Sequence, residues 1–191
     1  MKVYFFNGPP RSGKDTAVNF ADLFFGKTYF STKMKFAAPL VTAVAALIGV
    51  SEDKIEDLKS SPAFPGISDM TVRQLMIHLS EEVMKPRFGI DVFGKIALRS
   101  LKEEYGLSSA GIARVLFSDS GFRPEALPII EWAGPENCHI VRMFRPGCDF
   151  KGDSRSYIYL KDLGVKETEI HNIGTLEDLR GFVFNTIKED L

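Results

Sequence analysis

The 191-residue chain is 45% hydrophobic and 26% charged, with a formal net charge of −1, the balance of an ordinary globular protein. That balance argues against a protein built on bulk nucleic-acid or acidic-membrane affinity, which carries a basic excess. Cys138 and Cys148 form no framework, and His78, His139 and His171 have no ligand spacing, so reduced thiols in a cytoplasmic protein without a structural metal are expected.

Short apolar runs alternate with helical patterns along the chain, the mark of a parallel α/β sheet. Val3-Tyr4-Phe5-Phe6 inside Lys2–Asn7 predicts a strand buried on both faces. It runs straight into Gly8-Pro9-Pro10-Arg11, which does not resemble a signal-peptide cleavage region, so the chain is expected to stay where it is made. A helix follows from about Lys14 to Phe25, then a short strand at Thr28–Ser31. The apolar stretch Phe36–Val50, interrupted by Pro39, is shorter than the roughly 18–20 residues that span a bilayer. It predicts a core helix with Pro39 in its first turn and an end near Gly49.

Ser51 opens a short acidic helix, and Ser60–Ser68, with two prolines and a glycine, reads as a loop. Val72, Leu75, Met76, Leu79 and Val83 keep helical spacing through Thr71–Pro86, and another helix runs from Asp91 to Tyr105 up to Gly106. The remaining strands are predicted at Ile112–Phe117, His139–Phe144 and Glu169–Asn172, with a helix at Pro124–Trp132 between the first two. Arg145–Ser156, rich in Gly, Asp and basic residues, reads as a loop. Thr175 with Asp178 reads as a capping box opening a last helix with Leu176, Leu179, Val183 and Ile187 on one face.

The nine residues Gly8-Pro9-Pro10-Arg11-Ser12-Gly13-Lys14-Asp15-Thr16 sit between the first strand and the first helix. Gly8 and Gly13 let the backbone wrap with its N–H groups turned inward, as phosphate oxygens require. The helix starting at Lys14 adds its positive end, and Lys14 reaches the β- and γ-phosphates as a point charge. Gly8, Arg11, Ser12, Gly13, Lys14, Asp15 and Thr16 are therefore the expected nucleotide-binding set. Asp15 stands where a Ser or Thr hydroxyl normally meets magnesium, so Asp15 and Thr16 are both candidate Mg2+ residues. There is no Asn-Lys-x-Asp guanine-reading sequence, which favours ATP over GTP. Asp119 ends the third strand, where such sheets hold a carboxylate beside the magnesium and the attacking group.

These motifs resemble those of the deoxynucleoside monophosphate kinases of large DNA bacteriophages. The resemblance rests on Arg11-Ser12-Gly13-Lys14-Asp15-Thr16, Phe36-Ala37-Ala38-Pro39-Leu40, Thr71 to Met76, Ser118-Asp119, Val141-Arg142 to Arg145-Pro146-Gly147, and Asn172 to Leu179, and it covers most of the chain. It implies a P-loop three-layer sandwich, one kinase domain over residues 1–191, with a five-stranded parallel sheet. It also implies a helical acceptor-binding insertion over residues 32–108. The implied reaction passes the γ-phosphate of ATP to a nucleoside monophosphate, with dTMP or dGMP favoured, in the cytoplasm of a host if the chain is phage-encoded. Two departures stand out. The arginine after the strand-end aspartate is four residues on, at Arg123, and Ser154-Arg155-Ser156 follows the proline–glycine turn.

A phosphoryl transfer leaves positioning and charge neutralisation as the protein's main work. Lys14, Asp119, Arg123 and Arg145 are the expected catalytic residues, with Asp119 a third magnesium candidate. On the acceptor side the expectation is Arg73, Arg123, Arg142 and Arg155, with Phe36 or Phe88 stacking on a base. Pro146, Gly147 and Gly152 make residues 145–156 a candidate lid. Two other readings stay open: a P-loop kinase of the phosphomevalonate or dephospho-coenzyme A type, and an ATP-hydrolysing regulatory module. A homodimer is also left open.

Overall fold

The computed structural model describes residues 1–103, 106 and 113–191. The chain forms two compact units, Met1–Phe36 with Gly94–Leu191, and Ala37–Phe93.

The first unit is built on a five-stranded, wholly parallel sheet: β1 (Lys2–Asn7), β2 (Phe30–Met34), β5 (Ala113–Ser120), β6 (Cys138–Phe144) and β7 (Lys166–His171). Their spatial order is β2-β5-β1-β6-β7, with Val3 in register with Val115 on one side and Cys138 on the other. Side chains alternate across a strand. Tyr4 and Phe6 accordingly join Leu116, Val141, Met143 and Ile170 in a core with α1 (Lys14–Phe25) and α8 (Leu176–Ile187). Phe5 turns the other way and stacks on Phe117, ring centroids 5.5 Å apart. Helix α7 (Arg123–Ala133) packs on β1 and β5, and α6 (Val92–Glu103) lies against α7 so closely that a Cβ on Gly94 would sit 2.1 Å from the Glu125 carbonyl oxygen. The α/β class and the parallel five-stranded sheet expected from the sequence are those observed.

Several boundaries differ, each for a local reason. The second strand starts at Phe30 rather than Thr28, because the amides of Thr28 and Tyr29 bond back to the Phe25 carbonyl and prolong the helix end. The last strand is Lys166–His171 rather than Glu169–Asn172, since its pairing with β6 runs from His139↔Lys166 to Phe144↔His171. Helix α6 is described to Glu103; its expected end at 104–105 and the expected strand start at Ile112 lie outside the described residues, as does the expected insertion boundary at 108. Thr175 accepts from the Asp178 amide and Asp178 accepts from the Thr175 amide, the expected capping box.

The second unit holds α2 (Ala38–Ile48), α3 (Ile55–Leu58), β3 (Pro62–Phe64), β4 (Ser68–Thr71), α4 (Val72–His78) and α5 (Lys85–Phe88). Val44, Ala45, Ile55, Ala63, Val72 and Leu75 form its core. The expected loop at Ser60–Ser68 contains β3, which pairs antiparallel with β4 around a turn where Gly66 takes φ 78°; a proline is tolerated as the first residue of such a strand. The expected helix over Thr71–Pro86 is also interrupted. Leu79–Met84 winds as a π-helix, because Pro86 has no N–H for the carbonyl four residues back and the turn ahead of it widens.

Candidate active site

The loop after β1 is strained where it must wrap. Arg11 has φ 65°, among the described residues the only positive value outside glycine, and Gly13 has φ 98°. Such outliers persist where the surroundings over-determine them, and they cluster at ligand clamps. The surroundings here are specific. The Arg11 carbonyl accepts from Arg145 Nη1 at 3.2 Å, and the Ser12 carbonyl accepts from Asn172 Nδ2 at 3.0 Å. Gly8 lies so near β6 that a Cβ there would be 2.7 Å from the Met143 carbonyl oxygen.

Inside the loop, Ser12 is fully buried and its Oγ has no hydrogen-bond partner among the described residues. A buried hydroxyl left unpaired costs on the order of 1–3 kcal/mol, which an incoming oxygen ligand would recover. Lys14 is 7% exposed and its Nζ donates to the Pro9 carbonyl at 2.6 Å. Burial lowers the Lys14 pKa to about 8, with Arg155 adding like charge, while Asp15, Asp153 and Asp119 pull the other way. A phosphate fits this cradle: an orphaned hydroxyl, an ammonium out of water and a helix N-terminus meet there.

Asp15 stays outside, its side chain 71% exposed and 3.5 Å from Lys35 Nζ; Thr16, one residue on, is half-buried. Asp119 is half-buried at the end of β5 and its Oδ1 accepts from the Phe36 amide at 2.9 Å. The same contact fixes where Phe36 goes. Its ring is 2% exposed and lies flat on Phe117, 4.3 Å away, so the ring expected to stack on a base is committed to the core.

The arginines separate into distinct settings. Arg145 is exposed above the loop. Arg155 donates through Nε and Nη2 to the two oxygens of Asp153, at 2.9 and 2.7 Å. Burial works against its charge, yet the Asp153 hydrogen bonds and the charges of Asp153, Asp119 and Glu125 hold its pKa above the ordinary arginine value. Arg123 forks onto Asp162 and the Tyr159 carbonyl. Arg142, expected on the acceptor side, is 5% exposed and bound to Glu167, Glu169 and the Ile158 carbonyl, with its guanidinium 4.3 Å from the Tyr159 ring centroid. Arg73 and Phe88 belong to the second unit, half-buried and 60% exposed respectively.

Asn7 belongs to none of the sequence motifs. This residue is fully buried at the end of β1. Its Nδ2 donates to the carbonyls of Ser120 and Ser156, and its Oδ1 accepts from the Ile158 amide. The one signal available was a polar side chain closing an apolar run. Among the described residues no three His, Cys, Asp or Glu side chains gather as a metal cluster, and no helix is long and apolar enough to cross a membrane.

No protein-family model matches the sequence, and no curated protein does. Among solved structures the chain is similar to thymidylate kinase from Candida albicans (13% identity, 99% of this chain and 92% of that one, TM-score 0.47). It is also similar to shikimate kinase from Acinetobacter baumannii (11%, 100% and 94%, TM-score 0.46) and to a sugar kinase from a Janibacter species (14%, 98% and 95%, TM-score 0.41). Likenesses this faint add nothing to what the loop geometry supports.

Proposed function

We propose that this chain is an ATP-dependent phosphotransferase acting on a nucleoside monophosphate, with deoxynucleotides such as dTMP or dGMP the first acceptors to try. The observation that carries the reading is the loop Gly8–Thr16, in which a strained backbone, a buried unpaired hydroxyl on Ser12 and a buried Lys14 ammonium converge. In the reaction an acceptor oxygen bonds to the γ-phosphorus as the bond to the β–γ bridging oxygen breaks, and ADP leaves. A monophosphate carries about two negative charges near pH 7, so its attacking oxygen is already deprotonated and needs no strong base. Bringing it to an anionic γ-phosphate is the harder task, and repulsion in a closed, low-dielectric site must be cancelled by cations.

Lys14 holds the β- and γ-phosphates in this reading, moving its Nζ from the Pro9 carbonyl to phosphate oxygens. Loop amides and Ser12 Oγ take further oxygens. Asp15, Thr16 and Asp119 suit Mg2+, which takes oxygen ligands and keeps several waters; when bound, the ion neutralises charge on the β- and γ-oxygens. Arg145 and Arg155 are the cations on the phosphate side. Arg123 is assigned to the acceptor, by exchanging Asp162 for it. Arg142, held by Glu167, Glu169 and the Ile158 carbonyl, and Phe36, buried in the aromatic stack, are assigned to architecture. Of the expected lid, residues 145–156, the stretch 145–152, with Gly147 and Gly152 at φ 75° and 73°, supplies the moving part.

An ADP-coupled assay over the four common deoxynucleoside monophosphates and their ribose counterparts tests the proposal, with mevalonate phosphate and dephospho-coenzyme A as controls. Acceptor-dependent ADP release with a monophosphate is expected. Turnover with a control alone would replace the acceptor class, and slow ADP release indifferent to every acceptor would replace the kinase by an ATP-hydrolysing module.

A further inference from the structure

Residues 155–160 have no regular secondary structure, yet they are tied down almost residue by residue. The Ser156 amide donates to the Gly121 carbonyl at 3.1 Å, and the Ser156 carbonyl accepts from Asn7 at 3.0 Å. Tyr157 Oη donates to the Met143 carbonyl at 3.1 Å. The Ile158 amide donates to Asn7 Oδ1 at 3.0 Å and its carbonyl accepts from Arg142 at 3.2 Å. Ile158 and Leu160 are buried. The segment is a strap laid over the ends of β5, β1 and β6. The turn before it is held by short-range bonds, Cys148 N to Arg145 O and Lys151 N to Asp149 Oδ1.

Arg155 stands at the start of this strap, and its stem rests on Gly121. A Cβ on Gly121 would lie 2.5 to 2.6 Å from Cβ, Cγ and Cδ of Arg155, so that glycine answers to close approach. The side chain of Asp153 is 7% exposed, and it grips one edge of the guanidinium and also the Arg155 amide. Two of the five guanidinium donors are thereby used, and the planar fork stays aligned for a second, bidentate oxygen partner.

We propose that Arg155 is a preassembled cation for the transferring phosphoryl group, and that Asp153 is its positioning residue, with Gly121 as the seat and Asn7 as the anchor of the strap. The lid's moving part then ends ahead of Asp153. Arg155 acts electrostatically on both Lys14 and Asp119, consistent with a place at the γ-phosphate. This inference rests on the phosphotransferase reading. A fixed arginine pays its ordering cost during folding and reorganises little at the reaction step, which is where a cation aimed at developing charge gains most.

The test uses binding, which needs no acceptor. Affinities for ADP with magnesium, and for ADP with magnesium and aluminium fluoride as a mimic of the transferring group, are measured by calorimetry on the wild type, Arg155→Ala, Asp153→Asn, Asp153→Glu and Gly121→Ala. Melting temperatures serve as the folding control. One lost charge-assisted pair corresponds to roughly a 10- to 150-fold change. Arg155→Ala is expected to lose about that much of the preference for the fluoride complex while holding ADP within a few-fold. Asp153→Asn keeps the arginine charge but should lose about tenfold of the preference, and Asp153→Glu should recover part of it. Gly121→Ala, which displaces Arg155 from outside the ion pair, should match Asp153→Asn and carries the test if Asp153→Asn does not fold. An unchanged preference in Arg155→Ala, in Asp153→Asn or in a folded Gly121→Ala overturns the inference alone. A wild type that binds neither complex overturns the nucleotide reading beneath it.

Discussion

Nucleotide binding at the Gly8–Thr16 loop should take up a proton in mildly alkaline solution, with Lys14 as the acceptor of that proton. The Lys14 ammonium is 7% exposed, and burial, helped by Arg155, brings its pKa from 10.5 down to about 8. At pH 8.5 such a group is only about a quarter protonated. Phosphate oxygens placed against it favour the charged form and return the pKa to lysine's ordinary range or above. Binding at pH 8.5 should therefore consume about three quarters of a proton per nucleotide. Phosphate groups whose last proton leaves near pH 6 contribute little there. Calorimetry in two buffers of different ionisation enthalpy reads the uptake directly, and it should fade by about pH 6.5, where Lys14 is already charged. Lys14→Met should abolish it and weaken binding by the roughly 10- to 150-fold of a charge-assisted contact. The same group marks stability without nucleotide. Its folded pKa lies below the unfolded one, so between about pH 8 and 10.5 the unfolded chain holds a proton that the native chain does not. Native stability from this group accordingly rises with pH across that window, by at most about 3 kcal/mol, and Lys14→Met should flatten the rise. Equal binding heats in the two buffers at pH 8.5 would refute the reasoning.

Asp15→Asn should raise the magnesium concentration needed for half-maximal turnover far more than it weakens magnesium-free ATP binding; a magnesium titration curve that does not move would reduce Asp15 to a helix-start residue. Gly8→Ala should cost about 1–3 kcal/mol of stability as overpacking, since its Cβ would press on the Met143 carbonyl oxygen; chemical denaturation measures the loss, and a variant as stable as the parent would show that the loop can retreat from β6.

Where the sequence was informative, the determinants were local. Lys14–Phe25 was read to the residue, and the strand before it likewise, because a buried apolar run, two glycines at fixed spacing and a helical pattern all lie within the first 25 residues. What stayed hidden depends on distant partners. Asn7 meets Ser120, Ser156 and Ile158 across separations of 113, 149 and 151 residues, and no periodicity carries such information. Arg142 looked like a cation available to a ligand because Glu167 and Glu169 become its partners only through the register of β6 with β7. Phe36 lies beside a motif that suggested a substrate contact, but whether a ring faces in or out was decided by Phe117. In the second unit, the helical spacing through Thr71–Pro86 carries no sign that one turn widens ahead of Pro86 and that the chain winds on to Phe88.

The strand order has a consequence for the birth of the molecule. The central strand β1, residues 2–7, precedes both of its neighbours, β5 at 113–120 and β6 at 138–144, by a long stretch of chain. At about 5–20 residues per second, Val3-Tyr4-Phe5-Phe6 waits roughly 5 to 25 seconds before the first partner leaves the ribosome. During that interval this apolar run has both edges open, the condition under which nascent chains associate wrongly. Fragments ending before residue 113 should therefore aggregate or remain bound to chaperones, and the loop that follows β1 should acquire its shape only once β5 and β6 have been made.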